Sequence, residues 1–198
     1  MSKLVKYIVV ALIIFSSASF LINNSYSQDN TEKAGLKEFS VLSGWASGDL
    51  KRQDDYRMVP LLFQFAYDMS PLLKKINFNF PGESRFVLEP FLNTILSPDS
   101  NIETGCNFIL KYLHPVIGKL KLYIEGGLGL LYTTQHTYEQ STQFNFSEQF
   151  GGGLSFLISE NKAINAGYRY RHFSNAGIDQ PNKGVDMEFI ILGITFLY

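Results

Sequence analysis

The 198-residue chain holds a single cysteine, Cys106, and a single tryptophan, Trp45. One cysteine excludes any disulfide within the chain. With no histidine at a matched spacing, it reads as a small apolar filler rather than a nucleophile. Neither sign of charge predominates: 17 Lys and Arg stand against 18 Asp and Glu, for a net charge of −1. That balance excludes the basic face that nucleic acid requires. The three histidines, His114, His136 and His172, are scattered. No His/Cys/Asp/Glu grouping has metal-ligand spacing, so neither a metal nor another cofactor is expected. Long apolar runs are scarce too. One opens the chain, from Tyr7 to Ile22 behind Lys3 and Lys6, and none follows it. No transmembrane helix is therefore expected after that run. The basic start, the apolar middle and the small-residue end at Ser25-x-Ser27 predict a signal peptide over residues 1–27. Residues 28–198 then have the size of one domain.

Aromatic residues and glycine are abundant, with 17 Phe, 11 Tyr and 16 Gly. The dominant period is two, and it outlines eight strands. They lie near Glu38–Ser47, Val59–Asp68, Phe86–Leu96, Thr104–Tyr112, Leu120–Tyr132, Phe146–Leu157, Ile164–Ser174 and Val185–Tyr198. One face of each is large and apolar, as in Phe108, Leu110 and Tyr112. The other carries charge, amide or glycine, as in Lys121, Glu125, Gly127 and Gly129. In a soluble sandwich the polar face meets water and needs few glycines. In a small membrane barrel it lines a narrow lumen, where glycines make room. There Glu89, Glu125 and Lys121 can pair with Arg169 and Arg171 or with each other. The predicted fold is all-β: an eight-stranded antiparallel transmembrane β-barrel of the bacterial outer membrane, with lipid against its outer wall. The last strand, apolar at every second position and ending on Tyr198, resembles the C-terminal assembly signal of such barrels.

The connections follow from that topology. Gly48–Tyr56, Ser97–Glu103, Thr133–Asn145 and Asn175–Gly184 are expected outside. Leu113–Gly118 and Ser159–Lys162 are expected as periplasmic turns. The acidic groups Asp49, Asp54 and Asp55, and Asp99, Asn101 and Glu103, read as solvated loop tips, and His114 and His136 read likewise. Met69–Ser84 is too long for a simple turn. Its alternating Ile76–Phe80 either extends a strand or packs under the barrel mouth.

Strand parity singles out the last hairpin, 164–198. His172 and Ser174 continue the even, lipid-facing register of Tyr168 and Tyr170. Asp186 and Glu188 continue the even register counted back from Tyr198. All four therefore fall on the outer wall at the extracellular end. A serine hydroxyl needs an adjacent base, and His172 supplies one. A carboxylate on the other imidazole nitrogen fixes the tautomer. Asp186 is the favoured acid, with Glu188, one pleat further on, the alternate. Asn175 and the backbone N–H groups of Ala176 and Gly177 follow the serine, placed to hold an oxyanion.

The stretch His172-x-Ser174-Asn175-Ala176-Gly177, followed by Pro181-Asn182-x-Gly184-x-Asp186, resembles the outer-membrane lipid A 3-O-deacylases of the PagL type. The resemblance is specific over 168–198 and architectural elsewhere. It implies metal-free hydrolysis of the 3-O-linked acyl ester of lipopolysaccharide, with His172 as base, Ser174 as nucleophile and Asn175 as oxyanion donor. A member of that family carries Glu where this chain has Asp186. The competing reading is a non-enzymatic barrel with a structural or adhesion role. The sequence leaves open whether a second copy joins it in a homodimer.

Overall fold

The computed structural model describes residues 35–51, 55–78 and 81–198. The predicted signal peptide and Asp54 lie outside the described residues. Nine strands follow in order: β1 (Leu36–Gly48), β2 (Tyr56–Val59), β3 (Leu61–Asp68), β4 (Glu83–Ser97), β5 (Asn101–Ile117), β6 (Leu120–Thr133), β7 (Phe144–Ser159), β8 (Lys162–Ser174) and β9 (Val185–Leu197). A short helix, α1 (Ser70–Lys75), lies between β3 and β4. β2 and β3 are halves of one stave and both lie between β1 and β4. They break at Pro60, which has no N–H to give to a ladder. All pairings are antiparallel, and β9 returns to β1 from Glu38↔Leu197 to Ser47↔Glu188. The result is a closed ring of eight staves with no free edge.

Burial runs opposite to that of a soluble protein. Glu89, Asn93 and Glu103 are fully buried inside the ring, and Arg169 and Arg171 nearly so. Leu128 is 66% exposed and Ile190 63% on the outer surface. Only acyl chains satisfy such a wall, each covered Leu or Phe contributing roughly 1.5–3 kcal/mol.

Inside, charges are paired. The Arg169 guanidinium donates to Glu89 at 2.6 and 2.9 Å and to Glu125 at 2.8 Å. Glu89 also accepts from Gln64 and Asn107. Arg171 forks onto Glu103 at 2.8 and 3.0 Å, and Asn93 completes that pair. Planar two-pronged pairing of this kind suits Arg rather than Lys. Gly129 makes the predicted room: a Cβ there would collide with the Asn107 and Ser147 side chains. Towards the longer loops the filling becomes apolar, with Tyr56, Met58, Ile95, Leu131, Phe173 and Met187 packed together.

Three expectations are corrected. Glu103 is not a loop tip but a strand residue that holds Arg171, because β4 and β5 pair up to Ile95↔Asn101. The connection there shrinks to residues 98–100. β5 likewise runs through His114 and Pro115 to Ile117, leaving a two-residue turn in which Gly118 has φ +54°. His114 therefore lies on a strand, with Nδ1 3.0 Å from the Pro81 carbonyl. The alternating stretch Ile76–Phe80 lies partly outside the described residues, and Ile76–Phe78 belongs to no strand; β4 takes in Glu83 and Ser84, and Ser70–Lys75 is helical. Pro71 in the first turn favours a helix there, and the Ser70 N–H donates to Asp68 Oδ1 at 2.9 Å.

Candidate active site

β8 and β9 pair residue for residue at the loop end: Tyr170↔Glu188, His172↔Asp186 and Phe173↔Val185. Alternation then divides the work between the faces. Phe173, Val185 and Met187 point inward and fill the apolar plug. His172, Ser174, Asp186 and Glu188 point outward, half-buried or exposed. The plug holds the backbone from behind, so the outward groups project from a rigid rim.

His172 Nδ1 lies 2.6 Å from Asp186 Oδ1. The Tyr170 hydroxyl donates to the same oxygen at 2.6 Å. Asp186 thus receives two donors from β8, one directly opposite and one a pleat below. Glu188 stands opposite Tyr170 instead. On the other side of the imidazole, β7 sets Glu148 opposite His172, outward and exposed. Ser174 makes no side-chain hydrogen bond among the described residues. The register, continued one residue past Phe173↔Val185, sets Ser174 opposite Gly184. Gly184 has φ +73°, in the left-handed region, and a Cβ there would collide with Cε1 and Nε2 of His172. The imidazole therefore leans into the space that glycine leaves beside Ser174, with Nε2 on that side.

Beyond Ser174 the chain turns back tightly. Ala176 and Gly177 have φ of 53° and 74°, and the Ile178 N–H closes onto the Asn175 carbonyl at 3.1 Å. Positive φ at both central positions is the type I′ pattern. Ala176 and Gly177 are exposed, and their N–H groups make no backbone hydrogen bond in this turn. Asn175 is fully buried. Its N–H donates to Asn182 Oδ1 at 2.9 Å, and its Nδ2 donates to Ser141 Oγ at 3.1 Å and the Asp179 carbonyl at 3.0 Å. The loops are tied further by Lys183 N–H to the Glu139 carbonyl and Ser141 N–H to the Pro181 carbonyl, both at 2.9 Å. Asn175 is the centre of this cross-loop brace.

Sequence reasoning misses Tyr170, Glu148 and Ser141, and it gives Gly184 no role at the site. Parity alone places Tyr170 and Glu148 on the outer face. Ser141 lies 34 residues from Asn175, and no local pattern marks it. Among the described residues, no group of three or more His, Cys, Asp or Glu side chains is arranged to hold a metal.

The aromatic wall continues below the rim. Phe150 and Tyr170 have ring centroids 5.3 Å apart, and Phe144 meets Phe146 edge-on at 5.4 Å. Phe146 pairs directly with Ser174.

The family model described as lipid A 3-O-deacylase (PagL) matches residues 63–195. Over 80 residues the chain is 38% identical to the lipid A deacylase PagL of Bordetella bronchiseptica, covering 39% of this chain and 41% of that protein. Over 70 residues it is 33% identical to the lipid A deacylase PagL of Pseudomonas aeruginosa, covering 34% of this chain and 38% of that protein. These matches span about two fifths of each relative. Among solved structures, the outer membrane enzyme PagL superposes with a TM-score of 0.57 at 17% identity, covering 81% of this chain and 99% of that one. Neisserial surface protein A superposes with a TM-score of 0.64 at 14% identity, covering 84% and 100%. At such identities these two establish the barrel fold alone. Together with the family match, the inverted wall and the closed ring establish an outer-membrane β-barrel. The chain belongs to the lipid A 3-O-deacylase (PagL) family.

Proposed function

We propose that this barrel is a serine esterase that removes the 3-O-linked acyl chain of lipid A in the outer leaflet. The observation that carries the reading is the His172–Asp186 pair, at 2.6 Å. It sits on the lipid-facing wall, one pleat from an outward serine and under a turn with two exposed N–H groups. Nothing in barrel stability calls for that combination.

Asp186 holds the Nδ1 proton and leaves Nε2 as base. In the substrate complex Ser174 Oγ attacks the ester carbonyl and its proton passes to Nε2. A change of the Ser174 side-chain rotamer closes the nucleophile onto the imidazole, as happens at catalytic hydrogen bonds that tighten only with substrate. The Ala176 and Gly177 N–H groups face the developing oxyanion. Asn175 acts by holding their turn, since its own donors are committed to Asn182, Ser141 and Asp179. Collapse of the adduct breaks the ester bond, and the sugar oxygen leaves with the proton from Nε2. Water, deprotonated by the same nitrogen, then hydrolyses the acyl-serine and frees the fatty acid. Substrate need not enter a pocket. Its chains lie on Phe144, Phe146 and Phe150, and lateral diffusion delivers lipopolysaccharide to the rim.

The test is mass spectrometry of lipid A from cells expressing the wild type or Ser174→Ala. Loss of one hydroxyacyl mass with the wild type alone is the expected result. Identical lipid A in both cells would return the chain to the non-enzymatic reading.

A further inference from the structure

At the end opposite the site, the connection from β3 to β4 does more than turn the chain. It lies beside the lipid-facing wall rather than beneath the lumen. Met69 and Leu73 face Leu110, Tyr112 and Ile124 across an open groove of about 410 Å³. The Met69 N–H donates to the Ser84 carbonyl at 3.0 Å, and the Tyr112 hydroxyl donates to the Pro81 carbonyl where the chain returns. Gly126 forms part of the groove floor, and a Cβ there would meet nothing nearer than the Gln149 carbonyl at 3.6 Å. The missing side chain keeps the groove open without being required by the backbone.

This segment also presents apolar side chains at its surface. α1 buries none of its residues, and Leu72, Ile76 and Phe78 are 57%, 65% and 49% exposed. Such a face beside water is costly, but it continues the wall that acyl chains already cover. Its charge is one-sided. Lys74 and Lys75 occupy the last turn of α1, and Lys119 and Lys162 are exposed beside the two short turns at this end. Among the described residues there, Glu160 is exposed, while Asp68 and Glu83 are half-buried and paired, Asp68 with Arg85 and Glu83 with Arg85 and Lys121. Apolar side chains backed by lysines are the signature of a segment lying in a headgroup region that carries negative charge.

We propose that residues 69–78 form an interfacial anchor that binds one anionic phospholipid of the periplasmic leaflet. Its acyl chain occupies the groove against Leu73, Leu110 and Ile124, and its phosphate meets Lys74 and Lys75. The two-residue turns β5–β6 and β7–β8 lie at this end, which makes it the periplasmic one. The anchor sets the depth of the barrel, and with it the height of the rim 172–186 over the opposite leaflet.

The experiment uses the full chain in bilayers of phosphatidylcholine with or without phosphatidylglycerol. In a Trp45→Phe background, Ile76→Trp is the sole tryptophan, and its folding is checked by heat-modifiable gel mobility. Blue-shifted emission, quenched most by lipids brominated near the headgroup, is expected. Native mass spectrometry should show a phosphatidylglycerol adduct on the wild type. Gly126→Leu, which fills the groove, and Lys74→Gln with Lys75→Gln should each lower it by about tenfold. Water-like emission quenched by iodide would overturn the anchor. An adduct unchanged in both variants would overturn the lipid site. Neither readout depends on deacylation.

Discussion

At the waist of the barrel, β8 turns Tyr168 outward and Arg169 inward. Two pleats on, at the rim, the same strand turns His172 outward and Phe173 inward. The waist follows the rule of a membrane wall, apolar outside and polar inside. The rim follows the rule of a soluble sheet, polar outside and apolar inside. β9 changes over in step: Ile194 and Thr195 obey the first rule, Asp186 and Met187 the second. The physical boundary is the edge of the hydrocarbon. Below it, a charge on the outer face costs about 2–4 kcal/mol at the midplane; near the interface it costs about 0–1 kcal/mol. A carboxylate–imidazole pair is therefore affordable on the wall only at the rim, which is also where a lipid ester lies. One strand register, uninterrupted, builds a membrane wall and then a reactive edge.

Rim and waist can be perturbed separately. At the rim, Ser174→Ala or His172→Ala should lower deacylation by ~10⁴-fold or more with gel mobility unchanged, since the members of such a unit act together. Asp186→Asn should cost about as much, because Nδ1 loses its carboxylate and the tautomer is no longer held; initial rates on purified lipid A check both. At the waist, Arg169→Leu strands Glu89 and Glu125 in a closed lumen. It should destabilise the barrel by about 3–5 kcal/mol in urea titrations, with kcat/KM per folded barrel little changed. Gly184→Ala pushes the ring of His172 aside and should lower the rate about 10²-fold through misplacement alone. Tyr170→Phe removes one of two donors to Asp186. It should cost about 0.5–1.5 kcal/mol, a fall of about two- to tenfold in kcat/KM. Glu188→Gln should change the rate least, by less than about 0.5 kcal/mol. A large loss there, with Asp186→Asn active, would exchange the roles of the two acids.

Much of this was legible in the residues because alternation is a local signal. The outward parity of His172, Ser174, Asp186 and Glu188, and the inward parity of Arg169 and Arg171, need only a count by twos. What alternation does not carry is a partner across the barrel. Glu103 lies 68 residues from Arg171 and Glu89 80 residues from Arg169. Nothing local told Glu103 from a solvated loop acid beside Asp99. Strand ends were underestimated for a related reason: outside the membrane a strand need not alternate in hydrophobicity, so β5 continues through His114 and Pro115 without the pattern that marks it. The role of Asn175 was read from its place after Ser174. Its side-chain amide reaches Ser141 in the β6–β7 loop and Asp179 in its own loop because those two loops pack against each other at the rim.

The most direct test of an outward nucleophile is covalent capture. A lipid-soluble fluorophosphonate, added to the barrel in bilayers and followed by peptide mass spectrometry, should label Ser174 in the wild type and leave it unlabelled in His172→Ala. Labelling of a different residue, or equal labelling of Ser174 without the imidazole, would contradict the account.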